Sequence, residues 1–346
     1  MNERPLVSII VLNYNAGELL ENCITSLKKS TYTNLEIIIV DNISSDNSQN
    51  KCKEKFPDIK LIQNNKNLGY CGGNNVGIRE AKGKFIVILN PDTIVEPDCF
   101  DELIAAHNKF GDGLYQPKIL SLNEENIIQS TGNMLHIFGF GFARDKGNKV
   151  IDRKEKIEKI GYASGTCLFM SKEVIDKVGF LDEFLFLYHD DLDLGWRAAQ
   201  VGIDSYYVPR SKIFHVESYS LKWSAKKFYW LERNRKYCLQ THYSKETYKK
   251  MRLSLMLVDF FVWMFYFSKG FIGVKIKAEL DIRKNRKLIQ KKYNELEKKK
   301  IISDIELIKR FPDEIFVPTN VSQQSMNIRF NSILTKLSKE MKKKIR

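Results

Sequence analysis

Three aspartates fall within four residues of a segment that reads Tyr-His-Asp-Asp-Leu-Asp-Leu-Gly-Trp-Arg at positions 188–197. They stand at the start of a predicted helix that closes at Gly202. Carboxylates are favourable in the first turn of a helix, and this role alone would explain them. At helical spacing, however, Asp190 and Asp193 share a face while Asp191 points elsewhere. The segment is therefore a candidate site as well as a helix start.

Trp196 and Arg197 follow these aspartates by about one helical turn. An aromatic ring and a guanidinium beside a carboxylate suit the binding of a sugar ring and an anion. His215, in Phe-His-Val-Glu-Ser at 214–218, is ambiguous. A histidine beside apolar residues usually belongs to the core, although imidazole is also a common metal ligand.

Two further carboxylates follow apolar runs that predict strands. Asp92 ends Asn-Pro-Asp at 90–92, where Pro91 fixes a turn. Hard divalent cations prefer carboxylate oxygens, and Mg²⁺ keeps positions open for substrate phosphates. Asp41 ends another buried run, where an unpaired carboxylate would be costly, so it either caps a turn or binds a ligand. Taken singly, each pattern is more often only a turn.

Alternating strands and helices would position these residues. Apolar runs predict strands at 6–12, 35–40, 59–62 and 85–89, and helical spacing predicts helices at 18–29, from about 46, and at 74–82. This alternation predicts an α/β fold with a mostly parallel central sheet. Ligands of such sheets bind outside the carboxyl ends of the strands. Polar residues at 13–15, 41–42 and 90–92 follow three strands, so we expect one site at one edge.

The middle of the chain is less regular. Glycines interrupt any long pattern, so irregular loops are expected over 110–160. A strand is predicted at 165–170, followed by a helix at 171–178 that Ser171 caps and Gly179 ends. Short strands are predicted at 204–208 and 212–216.

Five segments of the chain together resemble family-2 glycosyltransferases of the GT-A fold, in the rhamnosyltransferase-like branch. The matching segments are Val-Ser-Ile-Ile-Val-Leu-Asn-Tyr-Asn at 7–15, Ile-Ile-Val-Asp-Asn at 38–42 with Ser-Asp-Asn-Ser at 45–48, Asn-Leu-Gly-Tyr-Cys-Gly-Gly-Asn-Asn-Val-Gly at 67–77, Leu-Asn-Pro-Asp-Thr at 89–93, and 188–197. Each is weak alone, but five in the family's order over roughly residues 5–240 are specific. The resemblance implies a GT-A (nucleotide-diphospho-sugar transferase) catalytic domain at 1–225, followed by a basic, largely helical C-terminal extension at 226–346.

The resemblance also implies roles for individual residues near the donor. Donor nucleotide binding falls to Asn13, Asn15, Asp41, Asn67, Gly69, Asn75 and Asn90. Gly72 and Gly73 would let the backbone approach the donor closely. Asn90-Pro91-Asp92 resembles the family's DXD metal motif with Asn in place of the first Asp. Asp92 is then the expected metal carboxylate, and His215 matches a downstream metal-binding histidine.

At the acceptor side, Asp190-Asp191 resembles the family's Glu-Asp pair, with Asp in place of Glu. The resemblance therefore implies that Asp191 is the catalytic base, and we expect Asp190, Trp196 and Arg197 to contact the acceptor. The implied reaction is inverting and uses a divalent metal, Mg²⁺ or Mn²⁺. The expected donor is a dTDP- or UDP-sugar, with rhamnose suggested by the branch. The expected acceptor is a saccharide or a lipid-linked sugar in cell-surface polysaccharide or glycoconjugate synthesis.

Two other functions compete with this one. A polyprenyl-phosphate sugar transferase would use the same donor site with a lipid phosphate as acceptor. A non-catalytic nucleic-acid-binding protein would use a basic tail against phosphate. No known nucleic-acid-binding signature is present, so nucleic acid is not an expected partner. A dinucleotide-dependent dehydrogenase is disfavoured because no G-x-G-x-x-G follows the first strand.

The charge of the chain is concentrated in its last third. Residues 1–220 carry 25 Lys and Arg against 30 Asp and Glu, a net charge of −5, whereas residues 221–346 carry 31 against 12, a net charge of +19. Such asymmetry suggests an acidic globular unit joined to a basic segment that meets an anionic surface, or simply well-solvated lysine-rich helices. The six scattered cysteines and the absence of a signal-peptide pattern suggest a reducing cytoplasm.

Residues 253–268 are strongly apolar and aromatic, and with 271–274 they approach the length of a membrane span. Asp259, Lys269 and two glycines interrupt the stretch. Three interpretations compete: an interfacial helix on anionic lipid, a core helix, and a true span. Residues 281–310 are lysine-rich with helical spacing. The first interpretation fits lipid-linked acceptors, so we expect a peripheral protein at the inner face of the cell membrane.

Overall fold

The structure is a computed structural model, and it describes residues 4–150, 156–216, 224–315 and 325–345. The chain divides into two compact units. The first comprises Met1–Asn133, Arg144–Ala198 and Ile203–Tyr219, and the second comprises Met134–Ala143, Ala199–Gly202 and Ser220–Arg346. All of the predicted site residues lie in the first unit. Glu217, Ser218 and Trp223 fall outside the described residues.

Twelve strands occur in the described part of the chain: β1 (Val7–Asn13), β2 (Leu35–Asp41), β3 (Lys60–Gln63), β4 (Phe85–Leu89), β5 (Thr93–Val95), β6 (Leu114–Ser121), β7 (Ile128–Ser130), β8 (Asn133–Leu135), β9 (Gly141–Ala143), β10 (Glu158–Ile160), β11 (Cys167–Ser171) and β12 (Ser205–His215). Ten of them form one sheet in the order β10-β12-β6-β11-β4-β1-β2-β3, with β5 beside β12 and β7 beside β6. Strands β8 and β9 form a separate two-stranded sheet.

Among the described residues, six helices accompany the sheet in chain order: α1 (Glu18–Leu27), α2 (Ser48–Lys55), α3 (Gly69–Glu80), α4 (Cys99–Phe110), α5 (Lys172–Val178) and α6 (Asp190–Gln200). The α/β prediction is confirmed. Helix α5 follows its predicted boundaries, because the Ser171 side chain accepts from Val174 N and Gly179 ends the helix.

The N-terminal half of the sheet is parallel, as predicted. Strand β1 lies between β2 and β4, and β2 pairs with β3, all in parallel register. The apolar runs of these strands are buried on both faces, which is typical of a parallel sheet covered by helices. The register aligns Asn13 with Asp41 at the carboxyl ends of β1 and β2. The polar residues after β1, β2 and β4 therefore lie along one edge.

The rest of the sheet is mixed, and here two expectations are wrong. Strand β6 is buried at 114–121, within the region expected to form loops. Gln116, Pro117 and Lys118 obscure its apolar pattern, and a proline inside a run argues against a central strand. The two short strands predicted at 204–208 and 212–216 form the single strand β12, whose register shifts between Val208 and Lys212.

Helix α3 begins at Gly69, five residues before its predicted start at 74. Glycines lower helix propensity, so their number in this segment hides the helix. A Cβ on Gly73 would lie 2.3 Å from Leu12 Cδ1 of β1. Gly73 therefore allows close packing of α3 on the sheet, and the expectation that it faces the donor is wrong.

The second unit contains six described helices: α7 (Ala225–His242), α8 (Lys245–Ser268), α9 (Ile272–Lys284), α10 (Arg286–Lys299), α11 (Asp304–Arg310) and α12 (Ser325–Ile345). The prediction of C-terminal helices is confirmed. Serine side chains cap three of them: Ser224 accepts from Lys227 N, Ser244 from Thr247 N, and Ser303 from Glu306 N.

A buried cluster of charges joins helices α7, α8 and α9. Lys275 has no exposed surface, and its Nζ lies 2.5 Å from Glu232, 2.7 Å from Asp259 and 2.8 Å from Glu279. Arg235 pairs with both carboxylate oxygens of Glu232 at 2.8 and 2.9 Å. Burial alone would raise the pKa of Glu232, but Arg235 and Lys275 lower it to about 2. Lys275 therefore occupies the centre of these three carboxylates.

Helix α8 presents a continuous apolar stripe to solvent. We call its six exposed residues the α8 face: Leu253, Met256, Leu257, Phe260, Met264 and Phe267. Their spacing places them on one side of the helix, and Asp259 lies outside this stripe, where it contacts Lys275. By length and apolar composition, α8 is the one helix in the described ranges able to cross a membrane, and 22% of its most apolar window is buried.

Candidate active site

Asn13 and Asp41 are buried and joined at the ends of β1 and β2. Asn13 Nδ2 donates to Asp41 Oδ1 at 2.8 Å and to Ser48 Oγ at 2.9 Å. Asp41 Oδ2 accepts from the backbone N–H of Ser44 at 2.9 Å. Both oxygens of the carboxylate are therefore engaged, and the pair fixes the loop that leads from β2 to α2.

Asn15 links this loop to the one that follows β1. Its Oδ1 accepts from Ser45 N at 2.7 Å, and its own N–H donates to Ser44 Oγ at 2.9 Å. Asp46 Oδ2 accepts from Gly17 N at 2.9 Å. Asn15 has a φ of 53°, a left-handed conformation that asparagine tolerates better than most residues. Together these bonds hold the loop after β1 against the loop after β2.

The segment 67–77 places its polar residues in different surroundings. Asn67 is exposed, and its Oδ1 accepts from Gly69 N at 2.8 Å at the start of α3. Gly69 has a φ of 71°, and a Cβ there would lie 2.5 Å from Phe186 Cδ2. Asn75 is buried, and its amide bonds the backbone of Leu181: Nδ2 donates to Leu181 O at 2.9 Å and Oδ1 accepts from Leu181 N at 3.0 Å. The structure thus places Asn75 as a support for the 181–189 loop rather than beside a donor.

The loop before α6 has unusual backbone conformations. Phe186, Tyr188 and His189 have φ values of 63°, 65° and 62°, which bulky residues rarely adopt. Such conformations cost about 1–3 kcal/mol each and cluster at ligand sites. The carbonyl of Phe186 accepts from Tyr70 N at 2.7 Å, so contacts with α3 help to maintain this loop.

Asp190 and Asp191 begin α6 in different environments. Asp190 is buried, whereas Asp191 is half-buried and its Oδ2 accepts from Gly165 N at 3.1 Å. Burial raises the pKa of both carboxyls, and the charge of Asp191 raises that of Asp190 further. Backbone N–H groups of Gly165 and Leu192 oppose the shift at Asp191. Asp191 is thus the member of the pair that ionises more readily.

The prediction that Trp196 and Arg197 contact the acceptor requires a correction, because neither side chain is placed to do so. Trp196 is 1% exposed and Arg197 is 4% exposed. Arg197 pairs with Asp193 at 2.8 Å, one turn earlier on the same helix, and donates to the carbonyl oxygens of Val178 and Phe180 at 2.9 and 3.0 Å. This face of α6 is directed into the core, so both residues support the helix.

Asp92 and His215 lie side by side because β5 and β12 pair there. Thr93 aligns with His215, and Val216 N donates to Asp92 O at 3.0 Å. Asp92 Oδ1 lies 3.4 Å from His215 Nε2 and is buried, and no described residue donates a hydrogen bond to it. A buried carboxylate oxygen without a donor, facing an imidazole nitrogen, fits a divalent cation. The predicted metal residues therefore form a suitable pair.

Hydrogen bonds connect this pair to the start of α6. Asn90 N donates to Thr166 O at 3.0 Å, and the adjacent Gly165 N donates to Asp191. Because β11 runs antiparallel to β4, residues 165–166 lie at the carboxyl end of β4. Strands β4, β1 and β2 are neighbours, so Asp41, Asp92 and Asp191 share one edge of the sheet.

Four supporting residues were given no role by the sequence analysis: Ser44, Ser48, Gly165 and Gln129. The polar loop after Asp41 is a signal that points to the two serines. Gly165 begins the strand predicted at 165–170, and no other feature of the sequence distinguishes it. Gln129 contacts His215 from 86 residues away, and no local pattern predicts such a pairing. The exposed ring of Tyr14, between Asn13 and Asn15, has no role in the sequence-based prediction either.

Proteins similar to this chain include several glycosyltransferases. It is 27% identical over 205 residues to the low-salt glycan biosynthesis hexosyltransferase Agl10 of Haloferax volcanii, which covers 57% of this chain and 63% of that protein. It is 26% identical over 242 residues to an N-acetylglucosaminyl-diphospho-decaprenol L-rhamnosyltransferase of Mycobacterium tuberculosis, covering 62% and 77%. A 91-residue stretch is 42% identical to the glucosyltransferase WfgD of Escherichia coli, covering 26% and 36%. The chain thus spans just under two thirds of the length of Agl10.

Solved structures show the same fold at low sequence identity. GalNAc-T7, crystallised with UDP, GalNAc and Mn²⁺, matches with a TM-score of 0.59 and 18% identity over 71% of this chain and 49% of that one. S. aureus TarS matches with a TM-score of 0.51 and 14% identity over 98% and 92%. These neighbours have the GT-A fold, so that prediction is confirmed. A family model described as glycosyl transferase family 2 matches residues 8–179, and this part of the chain therefore belongs to glycosyl transferase family 2.

Proposed function

We propose that this protein is an inverting, metal-dependent glycosyltransferase that moves a sugar from a nucleotide diphosphate onto a saccharide or lipid-linked acceptor. The observation that carries the proposal is the position of Asp41, Asp92 and Asp191 along one edge of the sheet. A donor at this edge would contact the two loops that follow β1 and β2. It would also lie near the proposed cation ligands Asp92 and His215 and near the carboxylate of Asp191. The proposed donor residues are Asn13, Asn15, Asp41, Asn67, Gly69 and Asn90.

In the proposed reaction, Asp191 is the general base. The acceptor hydroxyl oxygen forms a bond to the anomeric carbon of the sugar, and the bond from that carbon to the diphosphate oxygen breaks. The hydroxyl proton passes to the Asp191 carboxylate, and the nucleoside diphosphate leaves with the bonding electrons. The raised pKa of Asp191 makes it a stronger base than an ordinary carboxylate.

Asp92 and His215 are the proposed ligands of a divalent cation. When bound, Mg²⁺ or Mn²⁺ would neutralise negative charge on the diphosphate leaving group. Asp92 supplies a carboxylate oxygen that lacks a hydrogen-bond donor in the described structure, and His215 supplies Nε2. GalNAc-T7, which shares the fold, was crystallised with Mn²⁺, and this supports the choice of metal.

The relatives support a nucleotide sugar as donor and a lipid-linked sugar as acceptor. One is named as a rhamnosyltransferase that acts on N-acetylglucosaminyl-diphospho-decaprenol, and another as a UDP-Glc-dependent enzyme that acts on GlcNAc-diphosphoundecaprenol. We therefore propose a dTDP- or UDP-sugar donor, with rhamnose as the first sugar to test. The proposed product is part of a cell-surface polysaccharide or glycoconjugate.

The α8 face supports contact with a membrane. Its apolar stripe is bordered by the exposed basic residues Lys249, Lys250 and Arg252 on α8. The neighbouring helix α9 exposes Ile272, Ile276 and Leu280 at four-residue spacing. Apolar side chains flanked by lysine and arginine are typical of helices that lie in the interface of anionic lipid. We propose peripheral binding at the cytoplasmic face, where lipid-linked acceptors would be within reach.

The decisive test combines the variant Asp191→Asn with a panel of nucleotide sugars. Thermal shift with Mn²⁺ identifies the donor, and calorimetry then measures its affinity. Asp191→Asn removes the base while keeping its shape, so donor affinity should be retained. Turnover should fall by about 10²–10⁴-fold, the usual contribution of a positioned base.

Asp176→Asn is the matched control, since it makes the same change at an exposed carboxylate on α5. It should leave turnover at the level of the parent protein. Equal turnover in Asp191→Asn and Asp176→Asn would remove Asp191 from the role of base. If no nucleotide sugar stabilised the parent protein, the proposed donor class would be rejected.

A further inference from the structure

We infer that Gln129 is a positioning residue that fixes the tautomer and orientation of His215, so that Nε2 stays directed at Asp92 with its lone pair available. The inference rests on the proposed cation site. Gln129 lies on β7 and is 9% exposed, and its side-chain amide contacts His215 at two points. A glutamine placed in this way decides which ring nitrogen carries the proton.

The first contact sets the orientation of the amide. Gln129 Nε2 donates to the main-chain carbonyl oxygen of His215 at 2.8 Å. A carbonyl oxygen only accepts hydrogen bonds, so the NH₂ end of the amide has to be the end that faces it. The other end, Oε1, then lies 2.7 Å from His215 Nδ1.

The second contact sets the tautomer of the ring. An amide oxygen has no proton to donate, so the hydrogen on the short contact belongs to Nδ1 of His215. In the neutral ring, Nε2 is then left with a lone pair. That lone pair faces Asp92 Oδ1 at 3.4 Å, and the carboxylate oxygen is itself an acceptor. Two acceptors facing each other, on side chains that are each only 13% exposed, favour a cation between them.

The alternative tautomer shows why this positioning has a consequence. With the proton on Nε2, His215 would donate to Asp92 in an ordinary charge-assisted hydrogen bond. The proton would then occupy the only lone pair of His215 Nε2, and Asp92 Oδ1 would be engaged by the hydrogen bond instead of facing a metal. By holding the proton on Nδ1, Gln129 therefore keeps His215 Nε2 and Asp92 Oδ1 available to a cation. Partners that orient a metal-binding histidine typically change metal affinity by about 10–100-fold.

The test compares Gln129→Met with the matched control Gln200→Met. Methionine keeps the length and much of the volume of glutamine but offers no amide. Gln200 is also buried, and its Nε2 also donates to a histidine main-chain carbonyl, that of His242, at 2.8 Å. Both variants lose one such bond, whereas the contact with ring nitrogen Nδ1 of His215 is lost only in Gln129→Met.

The first measurement is the tautomer of His215 in the full-length, metal-free protein. Nitrogen-15 NMR of labelled histidine distinguishes Nδ1–H from Nε2–H at a pH well above about 6.5, the ordinary histidine pKa. The chain has five histidines, so His215→Asn identifies the signal. The parent and Gln200→Met should show Nδ1–H, and Gln129→Met should move towards Nε2–H. An Nε2–H tautomer in the parent, or an unchanged tautomer in Gln129→Met, would overturn the inference.

The second measurement is the affinity for Mn²⁺ alone, obtained from the electron paramagnetic resonance of the free ion. Gln129→Met should bind Mn²⁺ about 10–100-fold more weakly than the parent. Gln200→Met should bind like the parent, even if its melting temperature falls. Equal affinity in Gln129→Met and the parent would contradict the inference. A parent protein that bound no Mn²⁺ would reject the proposed cation site instead, and the tautomer of His215 would separately decide the role of Gln129.

Discussion

Two adjacent carboxyls at the start of α6 have different access to water. Asp190 is buried, while Asp191 is half-buried and accepts hydrogen bonds from two backbone N–H groups. When two neighbouring carboxyls cannot both ionise easily, the better solvated one loses its proton first. Asp190 is therefore expected to retain its proton to a higher pH than Asp191. This difference suits a neutral Asp190 beside an ionised Asp191, the proposed base.

A stability measurement can test this division. The folded-state pKa of Asp190 is raised above its unfolded value, so its contribution to stability is complete at acidic pH and is lost as pH rises through the folded pKa. Asn resembles the protonated carboxyl and does not ionise. We expect Asp190→Asn to gain stability relative to the parent as pH rises, by about 1.4 kcal/mol for each unit by which the pKa is raised. Urea unfolding at acidic and alkaline pH measures this difference.

The exposed carboxylate Asp176 again provides the control. Asp176→Asn should keep a nearly constant difference in unfolding free energy from the parent across the same pH range. If Asp190→Asn behaved in the same way, the two carboxyls of α6 would not be distinguished by burial. The residue-level account of the pair would then be wrong.

The packing of α3 on β1 depends on a helix surface without side chains. A Cβ on Gly73 would meet Leu12 Cδ1 at 2.3 Å and Asn42 Nδ2 at 3.0 Å, so either these side chains or the helix would have to move. Inserting atoms into a well-packed interior usually costs about 1–3 kcal/mol. The loop after β1, part of the proposed donor site, continues from this strand, so its position depends on that close approach.

The prediction at this scale compares two glycine substitutions in helices. Gly73→Ala should lower the melting temperature of the protein and weaken donor binding, because the new methyl group displaces Leu12 and Asn42 or moves α3 away from β1. Gly273→Ala on α9 has no heavy atom within 4 Å of the new Cβ, so it should stabilise its helix by about 0.5–1 kcal/mol. Thermal unfolding and calorimetry with the donor provide both readouts. A Gly73→Ala protein as stable as the parent would show that this contact is not restrictive.

The comparison of sequence and structure is clearest for individual elements. Strands β1, β2 and β4 were predictable because their apolar runs have no competing pattern, and the serine cap and final glycine define α5. Strand β6 was not, since Pro117 and two polar residues interrupt it. The edge that gathers Asp41 and Asp92 was predictable from strand ends, whereas Asp191 begins a helix and its role came only from the family resemblance. The burial of Asn75 and Trp196 was not, because contacts distant in sequence determine which way a side chain faces.

Across the whole molecule, charge and exposed apolar surface are concentrated in the same part of the sequence. Residues 221–346 carry a net charge of +19, and the α8 face lies within them. Neither feature alone identifies a membrane surface, because lysine-rich helices are often only solvated and one exposed stripe could bind another protein. Their combination on one helix, with basic residues before the stripe, favours anionic lipid. Binding should then require both the phenyl rings and the positive charge.

The double variant Phe260→Ser/Phe267→Ser tests the apolar part of this requirement. Full burial of each ring contributes about 1.5–3 kcal/mol, so its loss should lower binding to phosphatidylserine vesicles by at least about tenfold in sedimentation. The control Phe110→Ser/Leu122→Ser removes two exposed apolar side chains from the first unit and should sediment like the parent. Because basic residues attract the anionic surface through a screened field, binding of the parent should also weaken as salt is raised and be weaker on phosphatidylcholine. Sedimentation that depended on neither the two rings nor the lipid charge would leave the α8 face without its proposed partner.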